Sequence, residues 1–313
     1  MPTRLPKMSK KEKLNLLADI EDGYRPFDKH ALALLRSLLD DPDAQVRAEA
    51  IACLWNDPDP RWIDVLMRKA TDDPHSEVRT HAISALGRYV FEGDAATYDG
   101  WDGDEVAITP ADYQRVTDFL FRFAQDPEEA IEVRRYAIEA LAFRSEDPEV
   151  LDLIEWAYHH PDRRLKVSAL FSMARNGDPR WTDYILAELH SRDTEIQYEA
   201  VHAAGELSLE EATDTLIDMV RGKNVRKPLR LLAIYALGQI GNERAYPVLD
   251  RLTHSRDRDV REVAQDAVEE WLVVNAAEDM VDEALQDENP LAVAEDSAIP
   301  NIWEEGMGSF SKN

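Results

Sequence analysis

The sequence predicts an all-α solenoid of about seven helix pairs, and three observations carry that expectation. A twelve-residue pattern recurs along the chain, one column of that pattern is always alanine, and no stretch alternates apolar and polar residues as a half-buried strand would.

The chain opens with a candidate helix over residues 8–20, placed to cap the apolar end of a stack. The repeat begins after it and is plainest at DAQVRAEAIACL, Asp43 to Leu54. With Val46 as anchor, the equivalents are Val78, Val133, Leu165, Ile196, Leu229 and Val260, spaced 32, 55, 32, 31, 33 and 31 residues apart. Four residues past the anchor stand Ala50, Ala82, Ala137, Ala169, Ala200, Ala233 and Ala264. Five past it stand Ile51, Ile83, Ile138, Leu170, Val201 and Ile234, until Gln265 breaks the column. Eight past it stand Leu54, Leu86, Leu141, Met173, Ala204, Leu237 and Val268. Offsets 0, 4, 5 and 8 share one stripe of a helix with 3.6 residues per turn. The alanine column marks a place where a second helix passes too close for a larger side chain.

The residue after the anchor is basic in every copy except at Gln197: Arg47, Arg79, Arg134, Lys166, Arg230 and Arg261. Three residues before it, Asp43, Asp162, Asp193 and Asp257 stand where a helix wants an N-cap, a side-chain oxygen accepting from free backbone amides. His75, Ala130 and Arg226 replace it elsewhere.

A second apolar-periodic run precedes each of these helices, from HALALLRSLL and RWIDVLMRKA to ATDTLIDMV and AYPVLDRLTH. Asp59-Pro60, Asp147-Pro148, Asp178-Pro179 and Gly241-Asn242 punctuate the pairs, and proline is tolerated in a first helical turn. DPRW occurs twice, and Trp62 and Trp181 are read as large core side chains at the starts of first helices.

These elements give a capping segment over residues 1–28, a repeat region over 29–273 and an acidic extension over 274–313. The 55-residue interval holds an acidic insertion loop, approximately 91–110.

The unit of helix, Asp-containing turn and helix resembles the HEAT repeat, particularly the short bacterial form of phycobilisome-lyase-like proteins. The residues that carry the resemblance are DPDAQVRAEAIACL, DPHSEVRTHAISALG, IEVRRYAIEALA and LRLLAIYALGQIG, and it covers roughly residues 29–272. It implies a right-handed superhelix, armadillo-like, whose second helices line a concave side. About function it implies little, because one fold hosts many roles.

Lys+Arg 36 against Asp+Glu 63 leaves a formal charge of -27, which repels nucleic acid and anionic lipid and favours basic partners. A salt-loving host is the alternative source of such acidity. Cys53 is the only cysteine, so no intramolecular disulfide is available, which fits a reducing compartment. No apolar run has the length of a signal peptide core or of a membrane span, so a cytoplasmic protein is expected.

On the second helices, offsets 2, 3 and 6 lie off the core stripe. They are small or polar at Ala48, Glu49, Ala52, Thr80, His81 and Ser84, and turn apolar and aromatic in later copies. There they are Tyr136, Val167, Phe171, Tyr198, His202, Leu231, Leu232 and Tyr235, returning to Glu262, Val263 and Asp266 in the last. A stripe of this kind, bordered by Glu139 and Glu199, suits a protein segment with apolar anchors and basic flanks. Burial of Tyr198 and Tyr235 would remove it.

Trp101 in the insertion and Trp303 in the Ile299–Trp303 apolar island of the tail are secondary contact candidates. DGWDGDE, Asp99 to Glu105, lacks the alternating ligands and distal glutamate of an EF-hand and is read as an acidic loop, with no metal expected.

Metal hydroxylases of the deoxyhypusine kind carry repeated His-Glu pairs, and this chain has none; Tyr198-Glu199 with His202 is a poor ligand set. Ser-His-Asp and P-loop patterns are absent too, so no catalytic residue and no cofactor is expected. The cluster Arg221, Lys223, Arg226, Lys227 and Arg230 is too local for a nucleic-acid surface. A non-catalytic protein-binding scaffold is therefore the expected function. The resemblance implies one enzymatic rival, a phycobilin lyase or chaperone-like subunit acting on a bilin or its acceptor protein.

Overall fold

The computed structural model describes residues 8–99 and 108–286. Among them are α-helices, short 3-10 turns and no strand, so the chain is an all-α solenoid. A first helix, α1 (Lys10–Glu21), is followed by helix pairs. They are α2 (Lys29–Leu38) with α3 (Ala44–Ala52), α4 (Ile63–Asp72) with α5 (Ser76–Asp99), and α6 (Pro110–Gln125) with α7 (Ile131–Leu141). Next come α8 (Pro148–His159) with α9 (Arg163–Asn176), and α10 (Thr182–Glu188) with α11 (Thr194–Glu206). The last are α12 (Thr213–Arg221) with α13 (Lys227–Ile240), and α14 (Tyr246–Leu252) with α15 (Arg258–Gln286). Two compact units divide the chain, Met1–Trp181 and Thr182–Asn313.

Helix starts follow the cap chemistry. Asp43 accepts from the amides of Gln45 and Val46, Asp193 from Glu195 and Ile196, Asp257 from Asp259 and Val260, and Asp162 from Arg164. Pro148 opens α8 behind Asp147, and Trp62 and Trp181 are buried at the entries to α4 and α10. Ser9 and Glu12 form a capping box on α1, which buries Leu17 and Ile20 against the first pair. The Cys53 thiol donates to the Leu17 carbonyl at 3.4 Å, and burial pushes its pKa up to about 12, so it is a packing residue and not a reactive one.

The alanine column is fully buried in every copy. A second column of small residues lies at offset 7: Cys53, Ala85, Ala140, Ser172, Ala203, Ala236 and Ala267, all buried. It meets offset 9 of the preceding second helix. A Cβ on Gly87 would sit 3.1 Å from the Ala140 Cβ, and one on Gly238 would sit 2.5 Å from the Ala267 carbonyl oxygen. Successive second helices thus touch almost backbone to backbone, α5 on α7 and α13 on α15, which is what small residues permit. The contact of α5 with α7 spans the 55-residue interval, so the insertion leaves the stack of the first unit unbroken.

The basic column has a structural role. Arg47, Arg79 and Arg261 each donate to the carbonyl six residues earlier, at Asp41, Asp73 and Ser255. Arg134 reaches the carbonyl of Ala124, and the amide of Gln197 reaches that of Leu189. These side chains satisfy carbonyls that the first helix of a pair leaves free at its C-terminus, which explains why glutamine serves in place of arginine. Arg47 also forms a buried two-pronged pair with Asp73, at 2.8 and 2.9 Å.

Two expected boundaries differ. Residues 91–99 do not loop out but continue α5, where Gly93 lies flat against the Tyr113 ring. The expected boundary at 273/274 falls inside α15, which continues to Gln286. Gln265 breaks the offset-5 column because in the last pair that position is exposed.

Candidate interaction surface

On a helix advancing 100° per residue, the core stripe of the second helices is centred between offsets 4 and 8, and offsets 2 and 6 point away from it. One further turn brings offsets 10 and 13 to the same side. The two units furnish this face differently.

In the first unit Tyr136 on α7 and Val167 and Phe171 on α9 are half-buried. Beside them lies an aromatic and arginine cluster. The Phe143 ring is 5.3 Å from Phe91 and 6.3 Å from Trp55, centroid to centroid. The Arg175 guanidinium lies 4.5 Å from the Phe143 ring and 4.4 Å from the Phe171 ring, and donates to the Glu139 carbonyl at 3.1 Å. Arg88 sits 5.1 Å from Phe91 and pairs with Glu92 at 2.6 Å.

Arg135 donates to the Ser168 hydroxyl at 2.8 Å, and Ser168 donates to the Glu139 carboxylate. Burial pushes the Glu139 carboxyl above its ordinary range, against the opposing pull of Arg135, the Ser168 hydrogen bond and Arg175. Arginines and glutamates therefore balance on this face, and the exposed character is that of half-covered rings.

The second unit presents Tyr198 and His202 on α11 with Leu231 and Tyr235 on α13, all half-buried. Tyr198 and Tyr235 keep part of their surface open to solvent. His202 has a glutamate on either side, Glu199 3.8 Å from Nδ1 and Glu206 3.8 Å from Nε2. The Gln239 amide donates to Glu206 at 3.1 Å. Burial and the charges of Glu270, Glu206 and Asp266 raise the Tyr235 pKa; burial and Glu199 do the same for Tyr198. Both phenols stay protonated, in surroundings that favour a cation.

Leu232, expected on this face, is buried at 6% exposure, and Ser168 at the same offset 3 is fully buried. Offset 3 lies close in angle to the small column at offset 7, and in these two copies it turns into the contact between second helices, whereas Tyr136 at the same offset stays half-buried. Trp101 and Trp303 lie outside the described residues. Of the basic cluster, Lys227 pairs with Asp257 and Asp259 at 2.9 and 2.7 Å, joining consecutive pairs. His160 accepts from the Asp162 amide at 3.0 Å and its ring lies 5.0 Å from Trp156, a local packing role. Among the described residues no three His, Cys, Asp or Glu side chains are placed to hold a metal, and no helix is long and apolar enough to cross a membrane.

Sequence reasoning missed Trp55, Arg88, Phe91, Phe143, Arg175, Glu206 and Glu270. The pattern was followed only to offset 8, and continuing it one turn reaches all but Trp55, which sits at offset 9 in a 3-10 turn.

A family model described as HEAT repeats matches residues 32–99, 150–227 and 182–269, together more than half of the chain. Among curated proteins none matches. Human deoxyhypusine hydroxylase in complex with glycerol is 20% identical, with a TM-score of 0.37, covering 85% of this chain and 92% of that one. The complex of CpcE and CpcF of phycocyanin lyase from Nostoc sp. PCC7120 is 15% identical, with a TM-score of 0.49 and coverage of 84% and 92%. A Kap95p structure with RanGDP is 14% identical, with a TM-score of 0.47 and coverage of 84% and 39%. At these identities the likeness extends to the fold alone.

Proposed function

Because this chain belongs to the HEAT-repeat family, we propose that it is a non-catalytic scaffold whose second-helix faces bind a protein segment with apolar anchors and basic flanks. One observation carries the reading. At offset 6 the early copies have Ala52 and Ser84 where later ones keep Phe171 and Tyr235, and at offsets 2 and 3 they have Ala48, Thr80, Glu49 and His81 where later ones keep Tyr198 and Tyr136, all four rings half-covered. Large rings that the core does not need, held on neighbouring helices, are what a partner's anchors require.

Charge supports the flanks. Glu199, Glu206, Asp266 and Glu270 surround the tyrosines of the second unit, and the chain as a whole is at -27. A basic segment is drawn to such a face; nucleic acid and anionic membrane are repelled. Tyr136, Val167, Phe171, Tyr198, His202, Leu231 and Tyr235 are the proposed contacts.

Affinity purification from the native host tests this, comparing the parent with Tyr198→Glu/Tyr235→Glu and identifying what co-elutes by mass spectrometry. A protein retained by the parent and lost from the double variant is the expected result. Equal recovery from both would rule out the second-unit face. Recovery of no protein by the parent would remove the protein-binding reading.

A further inference from the structure

The two ends of the helix array are finished differently. At the first, α1 buries Leu17 and Ile20 on the opening pair. At the other, the outward stripe of α15 begins polar. Gln265 and Glu269 stand where α13 has Ile234 and Gly238, a usual way to end a repeat array. The stripe then turns apolar. Helix α13 stops at Gly241, whereas α15 runs on and leaves Leu272 51% and Val273 56% exposed, with Tyr246 of α14 at 36% beside Trp271. Three of the five exposed large hydrophobic side chains among the described residues lie on this last pair.

We propose that the chain's own segment Ile299–Trp303 docks on this end, covering Leu272, Val273 and Tyr246. The covalent tether favours it. Leu272 is 14 residues back from the end of α15, about 21 Å at the helical rise. The 13 residues from Gln286 to Ile299 span up to ~45 Å, so the segment reaches with slack.

Chemistry favours it as well. Ile299, Ile302 and Trp303 are bounded by Glu295 and Asp296 on one side and Glu304 and Glu305 on the other. The segment's three apolar side chains match the exposed Leu272, Val273 and Tyr246 in kind, while around them exposed Arg251 and Arg256 are outnumbered by exposed Asp250, Asp257, Asp259 and Glu269, so apolar burial and not charge carries the contact. A second copy of the chain is the weaker occupant, because a short tether holds the chain's own segment at an effective concentration of roughly millimolar, which a second copy in dilute solution does not reach.

The test is a disulfide closure rate in the full chain carrying Glu269→Cys and Glu304→Cys. These positions flank the proposed contact without removing it, and Cys53 is buried and stays inert. Rapid closure within one chain, slowed at least tenfold by adding Trp303→Asp, is the expected result. Closure unaffected by Trp303→Asp would overturn the proposal, because random tether collisions would then account for it. Disulfides formed between chains, faster at higher protein concentration, would overturn it in favour of a second copy.

Discussion

Ala169 and Gly238 show how little room the structure leaves. Ala169 is fully buried in the alanine column, and a carboxylate there must be both accommodated and desolvated. Ala169→Glu should lower unfolding free energy by at least ~3 kcal/mol in urea titration; a curve matching the parent would mean the helix face is misassigned. Gly238→Ala places a methyl against the Ala267 backbone and should cost ~1–3 kcal/mol. Asp94 behaves oppositely to a surface acid. Burial lifts its pKa to about 6 from 3.8, with Tyr113 donating to it and Arg144 nearby. A raised carboxyl pKa means the folded state prefers the protonated form. Its contribution is full below the ordinary carboxylate range and is lost as pH rises through about 6. Asp94→Asn should therefore stabilise the protein at pH 7.5 by ~1–2 kcal/mol, allowing for partial solvent screening, and give no gain at pH 4. Melting temperatures at the two pH values check this.

Between elements, Arg47, Arg79, Arg134 and Arg261 tie a second helix to carbonyls at the end of the first, and Arg47 also reaches Asp73 of the next pair. Arg47→Ala would leave Asp73 buried without its partner and should cost ~3–5 kcal/mol near neutral pH. Arg47 and the His75 amide hold the Asp73 pKa below its ordinary value against burial, so this stability is present above the ordinary carboxylate range and is lost in acid. The deficit of Arg47→Ala should accordingly shrink below about pH 4, as paired denaturation curves would show. Helix starts were legible in the sequence because Asp43, Asp162, Asp193 and Asp257 cap locally, within three residues. Helix ends were legible only in part, because glycine marks some of them and also stands inside helices. Gly177 and Gly241 adopt positive φ and stop α9 and α13, but Gly87 and Gly93 sit mid-helix in α5, where they answer close packing instead of a turn. The basic column was visible without its meaning, because the carbonyls it serves lie on the preceding helix and are located only by the fold.

At the scale of the molecule, the repeat was readable because each copy solves the same packing problem, and the family match agrees with it. The surface was readable only in part. Tyr136, Phe171, Tyr198 and Tyr235 follow from offsets 3, 6 and 2, while the Arg175 guanidinium between Phe143 and Phe171 depends on side chains from two helices meeting. The first unit offers rings and balanced charge, and the second, taken by itself, offers tyrosines among acids. The most direct test compares partner recovery by Tyr198→Glu/Tyr235→Glu with recovery by Trp156→Glu, which alters an exposed ring on the first helix α8 instead. Loss of the partner from the tyrosine variant with full retention by Trp156→Glu is the predicted result. Retention by the tyrosine variant and loss from Trp156→Glu would place the contact on the first helices and contradict the account.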